Sequence, residues 1–79
     1  PLPDKWRSFG WNVLEIDGHN MEEILTALDA ADACRDKPTA IVAHTVKGKG
    51  ISFAEGVTGF HNAALTEEQY RQALEELSR

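Results

Sequence analysis

The residues of this 79-residue chain whose types suit chemistry are three histidines, one cysteine and a Lys47-Gly48-Lys49-Gly50 turn. His61 could handle protons or stabilise charge beside a phosphate, since an unperturbed imidazole titrates at about 6.5; the plainer reading is an exposed loop histidine. Lys47 and Lys49 could attract phosphate through charge and through backbone N–H groups freed by the glycines. The pattern is not a Walker loop, which needs Gly-x-x-x-x-Gly-Lys-Ser/Thr opening a helix, and a solvated basic turn is the plainer explanation. His44 falls inside a strand pattern and is expected to be a core or edge histidine with a partner. His19 precedes a helix cap, where a local hydrogen bond accounts for it. With separations of 25 and 17 residues the three histidines lack the short-spaced pair that zinc sites use, so no metal ligand is assigned. Cys34, the single cysteine, excludes an internal disulfide and is read as packing.

The elements that must position these groups follow from capping and periodicity. Pro1-Leu2-Pro3 reads as an extended connector, and Asp4 as the cap of a short helix through Phe9, stopped by Gly10. Trp6, Phe9 and Trp11 are expected to cluster under that helix. Trp11 to Ile16 reads as a strand ended by the turn formers Asp17-Gly18. A helix is predicted from Met21 to about Cys34, with Asn20 as cap, Glu23 completing a capping box, and a stripe of Ile24, Leu25, Leu28 and Ala31. Pro38 then delivers the chain to a strand over Thr39 to Val46. Its run of Ala40, Ile41, Val42 and Ala43 without alternation suits a parallel strand covered on both faces.

The last helix opens on Thr66 as cap with Gln69 three residues on, a second capping box. Leu65 and Tyr70 are placed to form a hydrophobic staple, and Tyr70, Ala73, Leu74 and Leu77 make one stripe. Glu67, Glu68, Glu75 and Glu76 are assigned to a solvated face. The fold class is therefore α/β: a partial parallel sheet built on one right-handed βαβ unit with flanking helices. Two parallel strands leave exposed edges, so the chain reads as a single partial domain over residues 1–79, the last part of something larger that needs a partner.

A net charge of −5, with thirteen Asp and Glu against eight Lys and Arg, argues against general nucleic-acid or membrane-surface binding. No tract reaches membrane-spanning length, and the first apolar run is interrupted by Asp4, Lys5 and Arg7, unlike a signal peptide. A cytoplasmic location is the default expectation.

Several blocks together carry a resemblance: Lys5-Trp6-Arg7-Ser8-Phe9-Gly10-Trp11, then Ile16-Asp17-Gly18-His19, Lys37-Pro38-Thr39, and His44-Thr45-Val46-Lys47-Gly48-Lys49-Gly50-Ile51-Ser52-Phe53. In order and over essentially the whole chain, they resemble the end of the N-terminal, diphosphate-binding domain of transketolases, most closely the split form in which that domain is a separate subunit. The resemblance implies thiamine diphosphate and magnesium as cofactors, and transfer of a two-carbon ketol unit between sugar phosphates. It implies a pyrimidine-binding partner subunit or domain, and a missing N-terminal half carrying a Gly-Asp-Gly motif and an asparagine about thirty residues later as ion ligands. Asp17-Gly18 follows Ile16, not a glycine, and Asp17 is read as a turn residue. The family's Trp-His-Gly segment corresponds to Phe60-His61-Asn62, which implies that His61 approaches the cofactor diphosphate and the reacting end of the substrate. Asn62 in place of glycine tolerates positive φ if the position requires it.

Two readings follow. In the first the chain is part of a transketolase-like enzyme and inactive as an isolated piece; the related deoxyxylulose-phosphate synthases share the fold. In the second it is a catalytically silent α/β module whose sheet edge serves assembly, with self-association through that edge.

Overall fold

A computed structural model describes residues 1–79 as two compact units, Pro1–Thr45 and Val46–Arg79. The first holds α1 (Leu2–Ser8), β1 (Asn12–Asp17), α2 (Met21–Ala33) and β2 (Thr39–His44). β1 and β2 form a two-stranded parallel sheet with α2 as the crossover, which is the predicted α/β unit. The register runs from Asn12 opposite Thr39 to Asp17 opposite His44. At its start the Asn12 amide Nδ2 donates to Thr39 Oγ1 across 3.1 Å, a side-chain link that marks the alignment.

Local chemistry explains the ends of these elements. Helix α1 begins earlier than expected, at Leu2 with Pro1 as cap, because the first turn has no use for the N–H that proline lacks. Asp4 lies inside the helix and, instead of capping it, accepts from Arg7 at 2.8 Å. Trp6 and Trp11 meet edge to face at 4.7 Å, but Phe9 is 81% exposed, so the expected three-ring cluster has two members. β2 stops at His44 where the chain turns away, two residues short of the predicted Val46.

Asn20 caps α2 by accepting from the Glu23 N–H at 3.1 Å. The Glu23 carboxylate does not close the expected box; it accepts from the Asp17 N–H at 3.1 Å instead and ties the helix to the end of β1. Gly18 is required by close approach: a Cβ there would lie 2.5 Å from Thr45 Cγ2 and 3.1 Å from the His44 carbonyl, which the Gly18 N–H meets at 2.8 Å. The face of α2 turned toward β1 is Ile24, Ala27 and Ala31, while Leu25 and Leu28 are 62% and 53% exposed.

The second unit holds a run of turns, a 3₁₀ turn at Thr58–Phe60, and α3 (Glu67–Leu77). Thr66 and Gln69 form the predicted reciprocal capping box, at 3.2 and 3.0 Å. Only three apolar residues in the chain are buried, Ala27, Ala54 and Ala73, whereas eleven large ones are exposed. The strands are accordingly half-buried and not covered on both faces as their sequence suggested, because two strands and three helices supply too little surface to enclose them. No helix is long and apolar enough to cross a membrane.

Candidate functional site

In the second unit two of the chemically suited residues, fourteen positions apart, meet. Lys47 Nζ lies 3.1 Å from His61 Nδ1. An ammonium has donors only, so Nδ1 is the acceptor and the ring proton sits on Nε2. The pair thus offers the remaining Lys47 N–H donors and the His61 Nε2–H, with a positive charge and no carboxylate in this link. Both side chains are exposed.

The loop between them explains why they meet. Gly56 N–H donates to the Lys47 carbonyl at 2.6 Å and closes the loop at its base. Inside it, Ile51 donates to the Gly48 carbonyl, and Ala54 and Glu55 donate to that of Ile51, at 2.9–3.1 Å. Gly48 has φ +69°, and a Cβ there would fall 2.5 Å from the Ala54 oxygen and 2.6 Å from its carbonyl carbon. Only glycine fits. The Phe53 and Phe60 rings pack edge to face at 5.5 Å, which holds the residue before His61 against the loop. Past the 3₁₀ turn, the His61 N–H donates to the Thr58 carbonyl at 3.0 Å, and His61 itself is right-handed helical, φ −59°. No non-glycine residue has positive φ, so Asn62 does not adopt the left-handed conformation considered for it.

The loop is also tied to α3. Glu76 Oε1 accepts from the Ser52 N–H at 2.6 Å; its Oε2 accepts from the Ser52 hydroxyl at 2.8 Å and from Gln72 Nε2 at 2.9 Å. The Ser52 backbone N–H above all, then the Ser52 hydroxyl and the Gln72 amide, hold the Glu76 carboxyl below the usual carboxylate range. Lys49 pairs with Glu55 at 3.4 Å and so turns its charge to a partner within the loop.

Of the two lysines of the basic turn, then, one joins His61 and the other does not. The other sequence candidates belong to the first unit and have partners within it. His44 Nε2 lies 2.6 Å from Glu15 Oε1 on the neighbouring strand, the edge histidine expected. Asp17 Oδ1 accepts from the His19 N–H at 2.9 Å, a local turn as read from the sequence. Cys34 Sγ lies 3.4 Å from Asp36 Oδ1 and packs at the end of α2. A groove of about 400 Å³ between β1 and α2 is lined by Glu15, Glu22 and Glu23 among others, a set that repels anions.

The contact between Ser52 and Glu76 is one the sequence did not reveal. Glu76 was assigned to a solvated face, and its one available signal was a carboxylate in the last turn of a helix, where the dipole disfavours it.

The donor set suits an anion such as a diphosphate: an ammonium, an imidazole N–H and a loop shaped by glycine. It does not suit a divalent ion, since no three His, Cys, Asp or Glu side chains converge anywhere in the chain.

Comparison with known proteins identifies the family. Residues 2–78 match the family model described as transketolase, thiamine diphosphate binding domain. The chain is 51% identical over 79 residues to the 6-deoxy-6-sulfo-D-fructose transketolase subunit SqwG of Clostridium sp. (strain MSTE9), covering all of this chain and 29% of that protein. It is 43% identical over 77 residues to an apulose-4-phosphate transketolase subunit of Phocaeicola vulgatus, covering 98% of this chain and 27% of that protein. With human transketolase it shares 36% over 70 residues, 89% of this chain and 11% of that enzyme. The chain thus spans less than a third of the length of each of these relatives. With nearly its whole length matched, the chain belongs to the transketolase family and lies within its thiamine diphosphate binding domain.

Proposed function

We propose that the chain is part of a thiamine-diphosphate-dependent transketolase, acting in the cytoplasm, that transfers a two-carbon ketol unit between sugar phosphates. The observation that carries this reading is the 3.1 Å Lys47–His61 pair at the base of a glycine-shaped loop. When bound, thiamine diphosphate supplies carbanion stabilisation. The chain's own residues bind and orient: the Lys47 ammonium attracts the diphosphate, and the His61 Nε2–H donates to a phosphate oxygen of cofactor or substrate. The names of the two bacterial relatives carry a sulfo group and a phosphate, which supports a sugar with an anionic end as substrate class.

Magnesium ligands come, in this reading, from a Gly-Asp-Gly segment and an asparagine outside these residues, and the pyrimidine of the cofactor is held by a partner subunit or domain. The unpaired sheet edges and the exposed apolar side chains are where the rest of the domain and that partner pack, or where copies self-associate. The isolated 79 residues are therefore inactive.

Calorimetric titration of the full-length protein with thiamine diphosphate and magnesium tests the reading. His61→Ala and Lys47→Ala should each weaken binding about tenfold or more, the loss expected for a hydrogen bond to a charged group. Unchanged affinity in both variants refutes the assignment.

A further inference from the structure

We propose that Glu76 is a positioning residue for the Lys47–His61 pair, acting through Ser52 at the crown of the loop that carries them. The proposal rests on the anion-binding role of that pair and adds a residue that touches neither cofactor nor substrate.

The geometry is a closed triangle. Both Glu76 oxygens are engaged by Ser52, one by its N–H at 2.6 Å and one by its hydroxyl at 2.8 Å. Gln72 Nε2 joins Glu76 Oε2 at 2.9 Å and Ser52 Oγ at 3.3 Å. Charge-assisted bonds of this length are the stronger kind, and two of them on one residue fix its backbone as well as its side chain. Ser52 is placed where such a tie reaches both functional groups. On one side, Ile51 is bonded to the Gly48 carbonyl, next to Lys47. On the other, Phe53 packs on Phe60, next to His61.

Beyond the i, i+4 bond it accepts from Gln72, the placement is a poor one for helix stabilisation. Glu76 lies in the last turn of α3, together with Glu75 and without a basic residue. A negative charge there opposes the helix dipole, and alanine would be the better helix former. The helix carries a carboxylate opposed to its dipole at a position from which it holds Ser52 twice. The two explanations therefore predict opposite signs for one substitution: removal of Glu76 leaves α3 intact or more helical if it serves the loop, and weakens α3 if it serves the helix.

The test uses Glu76→Ala, Glu76→Gln and Ser52→Ala in the full-length protein. Glu76→Ala should keep or raise helical content by circular dichroism while shifting the His61 ring ¹⁵N signals away from the Nε2–H form, in the absence of any cofactor. Thiamine diphosphate affinity should fall about tenfold. Glu76→Gln, which keeps one carbonyl acceptor for the Ser52 N–H, should restore part of both readouts. Glu76→Ala combined with Ser52→Ala should cost less than the two losses summed, as coupled partners do. Unchanged His61 signals in Glu76→Ala overturn the proposal, as does strict additivity of the two alanine variants. Its failure is distinguishable from failure of the binding role: His61→Ala tests that role directly, and can weaken the cofactor while Glu76→Ala leaves the ring unmoved.

Discussion

Two alanine substitutions at glycines of similar backbone conformation separate steric fit from backbone strain in the Lys47–His61 loop. Gly48 and Gly56 have φ +69° and +73°. Either substitution forces an L side chain into the left-handed region, at a cost of roughly 1–2 kcal/mol. At Gly56 that is all, since nothing lies within 4 Å of the added Cβ. At Gly48 the Cβ meets the Ala54 carbonyl group at 2.5 and 2.6 Å, so the turn that closes over it must shift. Overpacking against fixed atoms costs a further amount of about 1–3 kcal/mol. The difference between the variants, about 1–3 kcal/mol, is roughly 5- to 150-fold in a local opening equilibrium. Amide hydrogen exchange reads it at position 56, whose N–H bonds to the Lys47 carbonyl, and at Ala54, whose N–H bonds to that of Ile51. Gly48→Ala should speed exchange at both sites well beyond Gly56→Ala. Equal acceleration in the two variants would mean that the Ala54 carbonyl yields without cost, and that the loop is no fixed platform for Lys47 and His61.

Other outcomes are expected. Because Ser52 and Gln72 hold the Glu76 carboxyl below 4.5, their link favours the folded loop fully above the ordinary carboxylate value and is lost as pH falls through the lowered one. The Ser52 amide shift, followed by NMR from about pH 6 to about pH 3, should titrate below that ordinary value; a midpoint at or above it contradicts the assignment. Thr66→Ala removes one half of the α3 capping box and should cost about 1 kcal/mol, read as a lowered urea midpoint, with no change in the midpoint counting against it. Glu15→Gln breaks an exposed cross-strand pair with His44 and should change stability by less than about 1 kcal/mol; a larger loss would show the pair to be more than an edge contact. Gly18→Ala should destabilise the sheet by driving a methyl into Thr45 and the His44 carbonyl, and a neutral result in a melting experiment would refute that close approach.

What the sequence revealed was local. The Thr66–Gln69 spacing fixed the start of α3, Asp17-Gly18 the turn after β1, and the unbroken apolar run after Pro38 a parallel strand, because each depends on neighbours within a few residues. At α1 the same reasoning misplaced the start: Asp4 was the better cap by type, yet Pro1 and Pro3 are compatible with a first helical turn, so the helix claimed Leu2. Burial patterns were harder to read. The stripe Ile24, Leu25, Leu28 and Ala31 describes an apolar helix face, but small alanines decide how closely α2 can approach β1, and the face rotates toward Ala27. His61 was legible as a candidate. Its meeting with Lys47 was not, since a fourteen-residue spacing has no helical or strand period and depends on how successive turns fold back. Ser52 and Glu76, 24 positions apart, were hidden for the same reason.

The Asn12–Thr39 link has a consequence for how the ribbon forms. Two short parallel strands joined by a long excursion could dock in several frames, and a shift of one residue would invert which side of the ribbon Leu14 and Ile16 occupy. Twenty-seven positions separate the linked residues, so the clasp closes only when the two strands lie alongside. It then acts as an index mark, rejecting frames in which that amide would face a methyl group and giving whatever strand docks next a single template to read.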